Sequence, residues 1–417
     1  MNMNMKVNIL IGITMLLLLA LPAAASDYTL GVFGNANEDD TINMQDVTYT
    51  ELIILEYRDR TELSDAKYDG KINMQDVTQI ELVILGKEKE LTLLDNIDRI
   101  VTIPKPVERV VSTFPSLTRV IVELGGVDKL VGVSDYMTMA QYSGDLLELR
   151  AYPELKDIPC VGSYRTPNLE QIVALKPDVV ISSTSIKEAD VVQTNTCIPT
   201  IGLSTSYPYE GEGGAFEGYR LAGRVIGEEE RAEYLISFVN AEFDKIREVT
   251  SEIPDDERVR VYYMGWGKIT RPHMTEPGPI EIAGGINVAA DSGYGWNVET
   301  TKEQVIEWNP DVILIHSTGK SHFGGTLVDD ALSDTDLQSI NAVKNGKVYY
   351  SKGGYIGRNP ATGVTEVPYM AKLFYPDKFE DLDVEEEGNR ILEEFYGVDG
   401  LYTWMQENCD LHRWETE

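Results

Sequence analysis

The chain has 417 residues, of which 42% are apolar and 25% charged, a balance that excludes wholesale disorder and collagen-like or coiled-coil construction. Lys and Arg number 36 against 69 Asp and Glu, a net charge of −33 whose field repels phosphate backbones and anionic lipid, so nucleic acid is not an expected partner. The length leaves room for two to three domains.

The pattern of an export signal opens the chain over 1–26: Lys6 closes a short basic region, an apolar run extends from Val7 to Leu21, and Ala23, Ala24 and Ala25 offer a small-residue cleavage site. The mature chain is expected to begin near Ser26, placing the protein outside the cytoplasm. No Cys lies near that cut, which argues against a bacterial-type lipid anchor, and no later apolar run reaches the ~20 residues that span a bilayer. Cys160, Cys197 and Cys409 allow at most one internal bridge, with Cys160 to Cys197 as the pair to consider.

A duplication follows. Ile42-Asn43-Met44-Gln45-Asp46-Val47-Thr48 recurs as Ile72-Asn73-Met74-Gln75-Asp76-Val77-Thr78, and each copy reads as a loop leading into a helix. Oxygen ligands at alternate positions, closed by a carboxylate at the twelfth, suit a hard cation such as calcium. The first set is Asn35, Asn37, Asp39, the carbonyl of Thr41, Asn43 and Asp46. The second is Asp65, Asp69, the carbonyl of Lys71, Asn73 and Asp76, with Gly70 at the sharp turn. Lys67 takes the third ligand position of the second loop and cannot coordinate, which weakens that site or leaves water in its place. Asp40 replaces the turn glycine of the first loop, a mild change because Asp tolerates a left-handed backbone.

With these loops the segment 27–91 resembles a dockerin, the paired calcium-loop module that docks onto cohesin domains of extracellular scaffolds. The resemblance implies bound calcium and a cohesin-like scaffold partner, met by helix surfaces that include Met44, Gln45, Met74 and Gln75.

From Leu91 onward short β-branched runs alternate with helical stretches, the signature of parallel βαβ construction. Val107 to Ser112 leads into a helix through Leu117 to Leu124. Leu130 to Val133 is an expected strand, Leu169 to Leu175 a helix, Val179 to Ile181 a buried strand and Thr200 to Leu203 another. Phe216 to Ile253 carries an amphipathic pattern with no proline until Pro254, which predicts one long stiff helix. Beyond it, Arg258 to Met264 reads as a strand, Ile280 to Gly284 and Lys302 to Trp308 as helices, and Val312 to Ile315 and Lys347 to Tyr350 as strands. The expected fold class is α/β: two Rossmann-like lobes at about 92–214 and 254–417, joined by a rigid connector helix over 215–253 and preceded by the small all-α calcium-loop domain.

The lobes echo each other in Pro167-Asn168-Leu169-Glu170-Gln171-Ile172-Val173 before Lys176-Pro177-Asp178, and Thr301-Lys302-Glu303-Gln304-Val305-Ile306 before Asn309-Pro310-Asp311. With Arg109-Val110-Val111-Ser112, Ala283-Gly284-Gly285-Ile286-Asn287-Val288 and Ala342-Val343-Lys344-Asn345-Gly346-Lys347-Val348-Tyr349, this ordering resembles the exported substrate-binding proteins of metal-chelate ABC importers. That family captures ferric siderophores, haem or cobalamin for an ATP-driven permease. The resemblance implies no catalysis and a ligand held between the lobes, an iron chelate first, with haem or a corrinoid as the alternative.

It also implies the site. Tyr164 and Arg165 stand in the first lobe, where a guanidinium suits charged chelate oxygens, with Tyr136 and Tyr207 in reserve. Trp266, Trp296, Tyr355 and Arg358 supply the second lobe. Glu170 and Glu303, one at the head of each matching helix, correspond to the family's permease-docking glutamates. Of the four histidines, His316 and His322 follow a strand from which they would reach a metal, though surface roles are expected for them. Because dockerin-like modules often ride on polysaccharide hydrolases, a scaffold-borne enzyme or adhesion module is the alternative of another class. No Ser-centred elbow, zinc-binding His pair or phosphate loop supports an enzyme.

Overall fold

The computed structural model describes residues 29–138, 146–163, 165–183, 185–204, 215–265, 268–272, 278–290, 292, 299–316, 328–351, 359–409 and 411–412. The chain divides into two compact units, one ending at Lys87 and one beginning at Glu88.

In the first unit two loops each lead into a helix, α1 (Met44–Ile54) and α2 (Met74–Ile84). The helices begin where they do because Asn43 and Asn73 cap them, accepting from the backbone N–H of Gln45 (2.8 Å) and Gln75 (2.9 Å), while Asp46 and Asp76 accept in return from the cap residues' own N–H, each at 2.8 Å. Val47, Val77, Ile80 and Val83 are buried, as are Leu30, Val32, Phe33 and Leu63. The Phe33 ring meets Tyr68 edge-on at 4.7 Å, joining the start of one loop to the other. The fourth residue of each loop, Glu38 and Tyr68, is left-handed at φ 57° and 51°. Gly70 is also left-handed, at φ 85°, but Asp40 is not among the residues at positive φ, so the left-handed backbone considered for Asp40 is not adopted.

The second unit opens with an antiparallel hairpin, β1 (Glu90–Leu94) on β2 (Ile100–Pro104). The domain boundary therefore falls before Leu91, which pairs with Ile103. There follow β3 (Val110–Ser112), α3 (Pro115–Glu123), β4 (Leu130–Gly132), α4 (Leu147–Ala151), the two-residue strands β5 (Gly162–Ser163) and β6 (Thr166–Pro167), α5 (Leu169–Leu175), β7 (Val179–Ser182), α6 (Ile186–Thr196) and β8 (Thr200–Gly202). Strands β4-β3-β7-β8 form a four-stranded parallel sheet. Buried Val110, Val111, Val179, Val180 and Ile181 give it the uninterrupted apolar character of a sheet covered on both faces.

The connector is two helices where the amphipathic pattern predicts one: α7 (Ala215–Ile226) and α8 (Glu229–Thr250). Gly227 breaks the run at φ 81°, and its N–H and that of Glu228 both turn back to the carbonyl of Gly223 at 2.8 Å. At Gly223 an added Cβ would lie 2.9 Å from Ala232 Cβ, so the two helices need glycine where they approach. The 22 residues of α8 still give a rod about 33 Å long.

A second parallel sheet, in the order β10-β9-β11-β12, is built from β9 (Arg260–Met264), α9 (Pro279–Ile282), β10 (Ile286–Asn287), α10 (Lys302–Trp308), β11 (Val312–His316), α11 (Val328–Ser333), α12 (Asn341–Lys344) and β12 (Val348–Ser351). Three more helices close the chain, α13 (Pro360–Phe374), α14 (Val384–Tyr396) and α15 (Leu401–Cys409). The expected second lobe at 254–417 is corrected here: α14 packs on α13 but also on α3, and α15 on α4, so the chain's end returns to the first lobe. Cys160 and Cys197 are both free and exposed, so they form no bridge. Among the described residues no helix is long and apolar enough to cross a membrane.

Candidate functional site

In a parallel sheet the loops after the strands gather on one edge, which is where α/β proteins hold their ligands. In the first lobe that edge follows Ser112, Gly132, Ser182 and Gly202. Half-buried Tyr136 lies there with its ring 6.5 Å from that of Phe114. Arg165 is exposed in the turn between β5 and β6, whose register pairs Gly162 with Pro167 and Ser163 with Thr166. Gly162 permits that turn: it is left-handed, and a Cβ there would meet the Thr166 carbonyl oxygen at 3.2 Å. Of the six expected ligand contacts, Arg165 is described, whereas Tyr164, Trp266, Trp296, Tyr355 and Arg358 lie outside the described residues, as do Tyr207 and His322.

In the second lobe the corresponding edge holds a buried polar cluster that the sequence reading missed. His316, the last residue of β11, is 6% exposed and sits in register with Ser351, the last of β12. The surface role expected of His316 is therefore corrected. The Tyr263 hydroxyl and Ser351 Oγ share a hydrogen bond of 2.5 Å, Ser351 Oγ donates to the Glu366 carboxylate from α13, and the Tyr263 ring lies 6.1 Å from that of His316. Glu366, the one charged residue in the run from Val364 to Met370, was the available signal, since a lone buried carboxylate must find donors.

Glu170 and Glu303 occupy equivalent places. Each is exposed in the first turn of a seven-residue helix, α5 or α10. Asn168 and Thr301 cap these helices by accepting from Gln171 N–H (3.0 Å) and Gln304 N–H (3.1 Å). Left-handed Lys176 and Asn309 end them. An arginine at the start of a neighbouring strand then closes each C-terminus: Arg109 donates to the Leu175 carbonyl at 2.6 Å and Arg260 to that of Trp308 at 2.8 Å. The two glutamates are thus presented by matching, independently braced helix starts.

The head's two loops differ in what their first ligand position does. Asn35 gives its amide N–H to the carbonyls of Leu30 (2.8 Å) and Asp39 (2.6 Å), which leaves its fully buried Oδ1 without a hydrogen-bond partner. Asp65, by contrast, accepts from the N–H of Asp69 (3.1 Å) and Gly70 (2.8 Å) and lies 3.4 Å from Arg60. At the twelfth position Asp46 and Asp76 are both fully buried, and burial pushes each carboxyl above its usual range. They also accept from the third position's N–H, from Asn37 at 3.2 Å and from Lys67 at 3.0 Å. Asn37, Asp39, Thr41 and Asn43 are linked by hydrogen bonds from 2.6 to 3.3 Å, and Lys71 donates its N–H to Asp69 at 3.0 Å. Among the described residues no three His, Cys, Asp or Glu side chains gather as a metal cluster.

The model of the periplasmic binding protein family matches residues 110–354, from β3 to just beyond β12. The molybdate-binding protein MolA of Haemophilus influenzae is 27% identical over 334 residues, covering 73% of this chain and 90% of that protein. A cobalamin-binding protein of Halobacterium salinarum is 27% identical over 293 residues, covering 67% and 73%. The solved structure of MolA bound to molybdate superposes with a TM-score of 0.59 at 25% identity, over 74% of this chain and 98% of MolA. A periplasmic solute binding protein from Veillonella parvula shares the fold with a TM-score of 0.61 at 22% identity, over 77% and 97%.

Proposed function

This chain belongs to the periplasmic binding protein family, and from that premise we propose that it captures an iron chelate, a ferric siderophore first, and delivers it to an ABC permease from a dockerin-like tether. The relatives named above are solute-binding proteins and not enzymes, and this chain is an extracytoplasmic binding protein of the same kind. The observation that carries the ligand class is exposed Arg165 in the turn between β5 and β6, a residue type suited to the anionic oxygens of a chelate. In this reading Tyr164 and Arg165 contact the ligand from one side, and Trp266, Trp296, Tyr355 and Arg358 from the other. A ferric citrate-binding relative in Bacillus subtilis, 26% identical over 198 residues, supports an iron chelate. The cobalamin-binding relative favours a corrinoid as the second reading, with haem behind it.

Glu170 and Glu303 are the permease contacts in this reading, supported by their equivalent exposed positions on the two lobes. The head takes calcium through Asn35, Asn37, Asp39, the Thr41 carbonyl, Asn43 and Asp46, and more weakly through Asp65, Asp69, the Lys71 carbonyl, Asn73 and Asp76. The unsatisfied buried Oδ1 of Asn35 fits a cation at the first loop. When bound, calcium neutralises carboxylates that otherwise repel one another. Exposed Met44 and Met74, each 58% exposed and equivalent in the repeat, offer a cohesin-like scaffold domain matching contact points.

Tryptophan quenching of the full chain, titrated with a ferric hydroxamate, a ferric catecholate, ferric citrate, haem, cyanocobalamin and molybdate, tests the ligand. Saturable quenching by a ferric chelate is expected. Saturation by molybdate or cyanocobalamin alone would transfer the assignment to that class.

A further inference from the structure

Behind the expected ligand-bearing edges, the helices of the first lobe, the connector and the chain's end meet around one carboxylate. Glu123, the last residue of α3, is fully buried. Its Oε1 accepts from the Tyr396 hydroxyl of α14 at 2.9 Å, and its Oε2 from the Tyr219 hydroxyl of α7. Other charged or titratable groups face it from every side. Arg119, one turn earlier on α3, donates its Nε to Glu148 of α4 at 2.9 Å, both side chains being at most 1% exposed. Arg231 of α8 reaches the Glu123 carbonyl at 3.3 Å and also donates to the Glu394 carbonyl of α14. The Tyr152 hydroxyl donates to the Tyr396 carbonyl at 2.7 Å, and the Asn359 amide that precedes α13 lies 3.4 Å from the Tyr396 hydroxyl.

Two buried carboxylates, Glu123 and Glu148, thus stand beside the Arg119 guanidinium, and Glu148 has it as an ion-pair partner. A second negative charge in that space is costly, whereas a neutral Glu123 carboxyl keeps the packing without it. We propose that Glu123 is a proton-operated latch: with a proton on Oε2, donated to the Tyr219 hydroxyl oxygen while Oε1 still accepts from Tyr396, α3, α7 and α14 stay packed, and loss of that proton favours separation of α14 from α3. Because α14 also packs on α13, against the second lobe's sheet, the latch couples the first lobe to the chain's closing helices.

Burial pushes the Glu123 carboxyl up to about 7, against the phenol hydrogen bonds and Arg119, which pull it down. The sign follows from linkage. A carboxyl raised in the closed state and ordinary once exposed contributes stability that is present at acid pH and lost as pH rises towards about 7. From pH 6 to 8 the opening constant of this junction should then rise about ten-fold.

Hydrogen exchange of the full chain, corrected for intrinsic rates, reads this directly over residues 384–396. Protection there is expected to fall about ten-fold from pH 6 to 8 in the native chain and to stay flat in Glu123→Gln. Tyr396→Phe removes a donor that favours the ionised form, so it should shift the transition to higher pH, an outcome that a role in packing alone would not produce. A flat native profile, or the same pH dependence in Glu123→Gln, overturns the proposal. If Glu123→Gln does not fold, a transition that Tyr396→Phe leaves in place overturns it equally.

Discussion

The head and the body use opposite means to stay folded. The body buries two parallel sheets under helices on a scale that supports a large core, with Val110, Val180, Val261, Ile313 and Leu314 fully covered. The described part of the head, residues 29–87, is shorter than the ~70 residues at which one core is usually sufficient, and its buried apolar set is small. It depends instead on loops whose carboxylates and amides point at one another. If the proposed calcium loops complete the head as burial completes the body, perturbations should divide cleanly between residues 29–87 and 88–417.

The largest expected effect is calcium withdrawal. Chelating calcium should melt the head and abolish capture by a cohesin-like partner, while the body's circular dichroism and melting temperature stay within about 2 °C; joint unfolding would show that the two units are not independent. Next, Asp46→Ala removes a buried carboxylate that caps α1 and closes the first loop, and should cost the head about 3 kcal/mol in urea unfolding with the body's transition unmoved. On the body's side, Arg165→Glu should weaken binding of a ferric hydroxamate about ten-fold by calorimetry without changing stability. Lys67→Asp should sharpen the contrast between the two loops, tightening calcium at the second by about ten-fold in a calcium titration. The smallest effect on the chain itself belongs to Glu170→Arg with Glu303→Arg, which should leave chelate affinity within about two-fold but stop uptake by cells carrying the permease; normal uptake would remove their docking role.

Much of the fold was legible in the sequence where local chemistry and packing agree. Helices α5 and α10 are bounded as read, Leu169 to Leu175 and Lys302 to Trp308, because a capping Asn or Thr and a Pro-Asp exit mark both ends. The connector break was hidden because apolar spacing continues across Gly227 in both helices, and a single glycine inside an amphipathic run does not reveal a left-handed turn. The hairpin β1–β2 and helices α13 to α15 were missed for different reasons. Thr92 and Thr102, paired at 2.9 Å across the hairpin, blur its apolar alternation, and α13 is buried nearly all round, with Pro368 inside it, so it shows no amphipathic face. Arg165, Glu170 and Glu303 were readable as exposed polar residues beside turns. Glu123, Tyr219 and Tyr396 were not, since only tertiary packing brings positions so far apart in the chain together.

The chain has two compact units, and each is proposed to answer to its own ligand. Differential scanning calorimetry of the full chain, with calcium added or removed by dialysis and with a ferric hydroxamate or cyanocobalamin present or absent, tests it most directly. Two transitions are predicted, the smaller rising with calcium alone and the larger with the chelate alone. A single transition that shifts with both ligands, or a larger transition that no chelate moves, would contradict it.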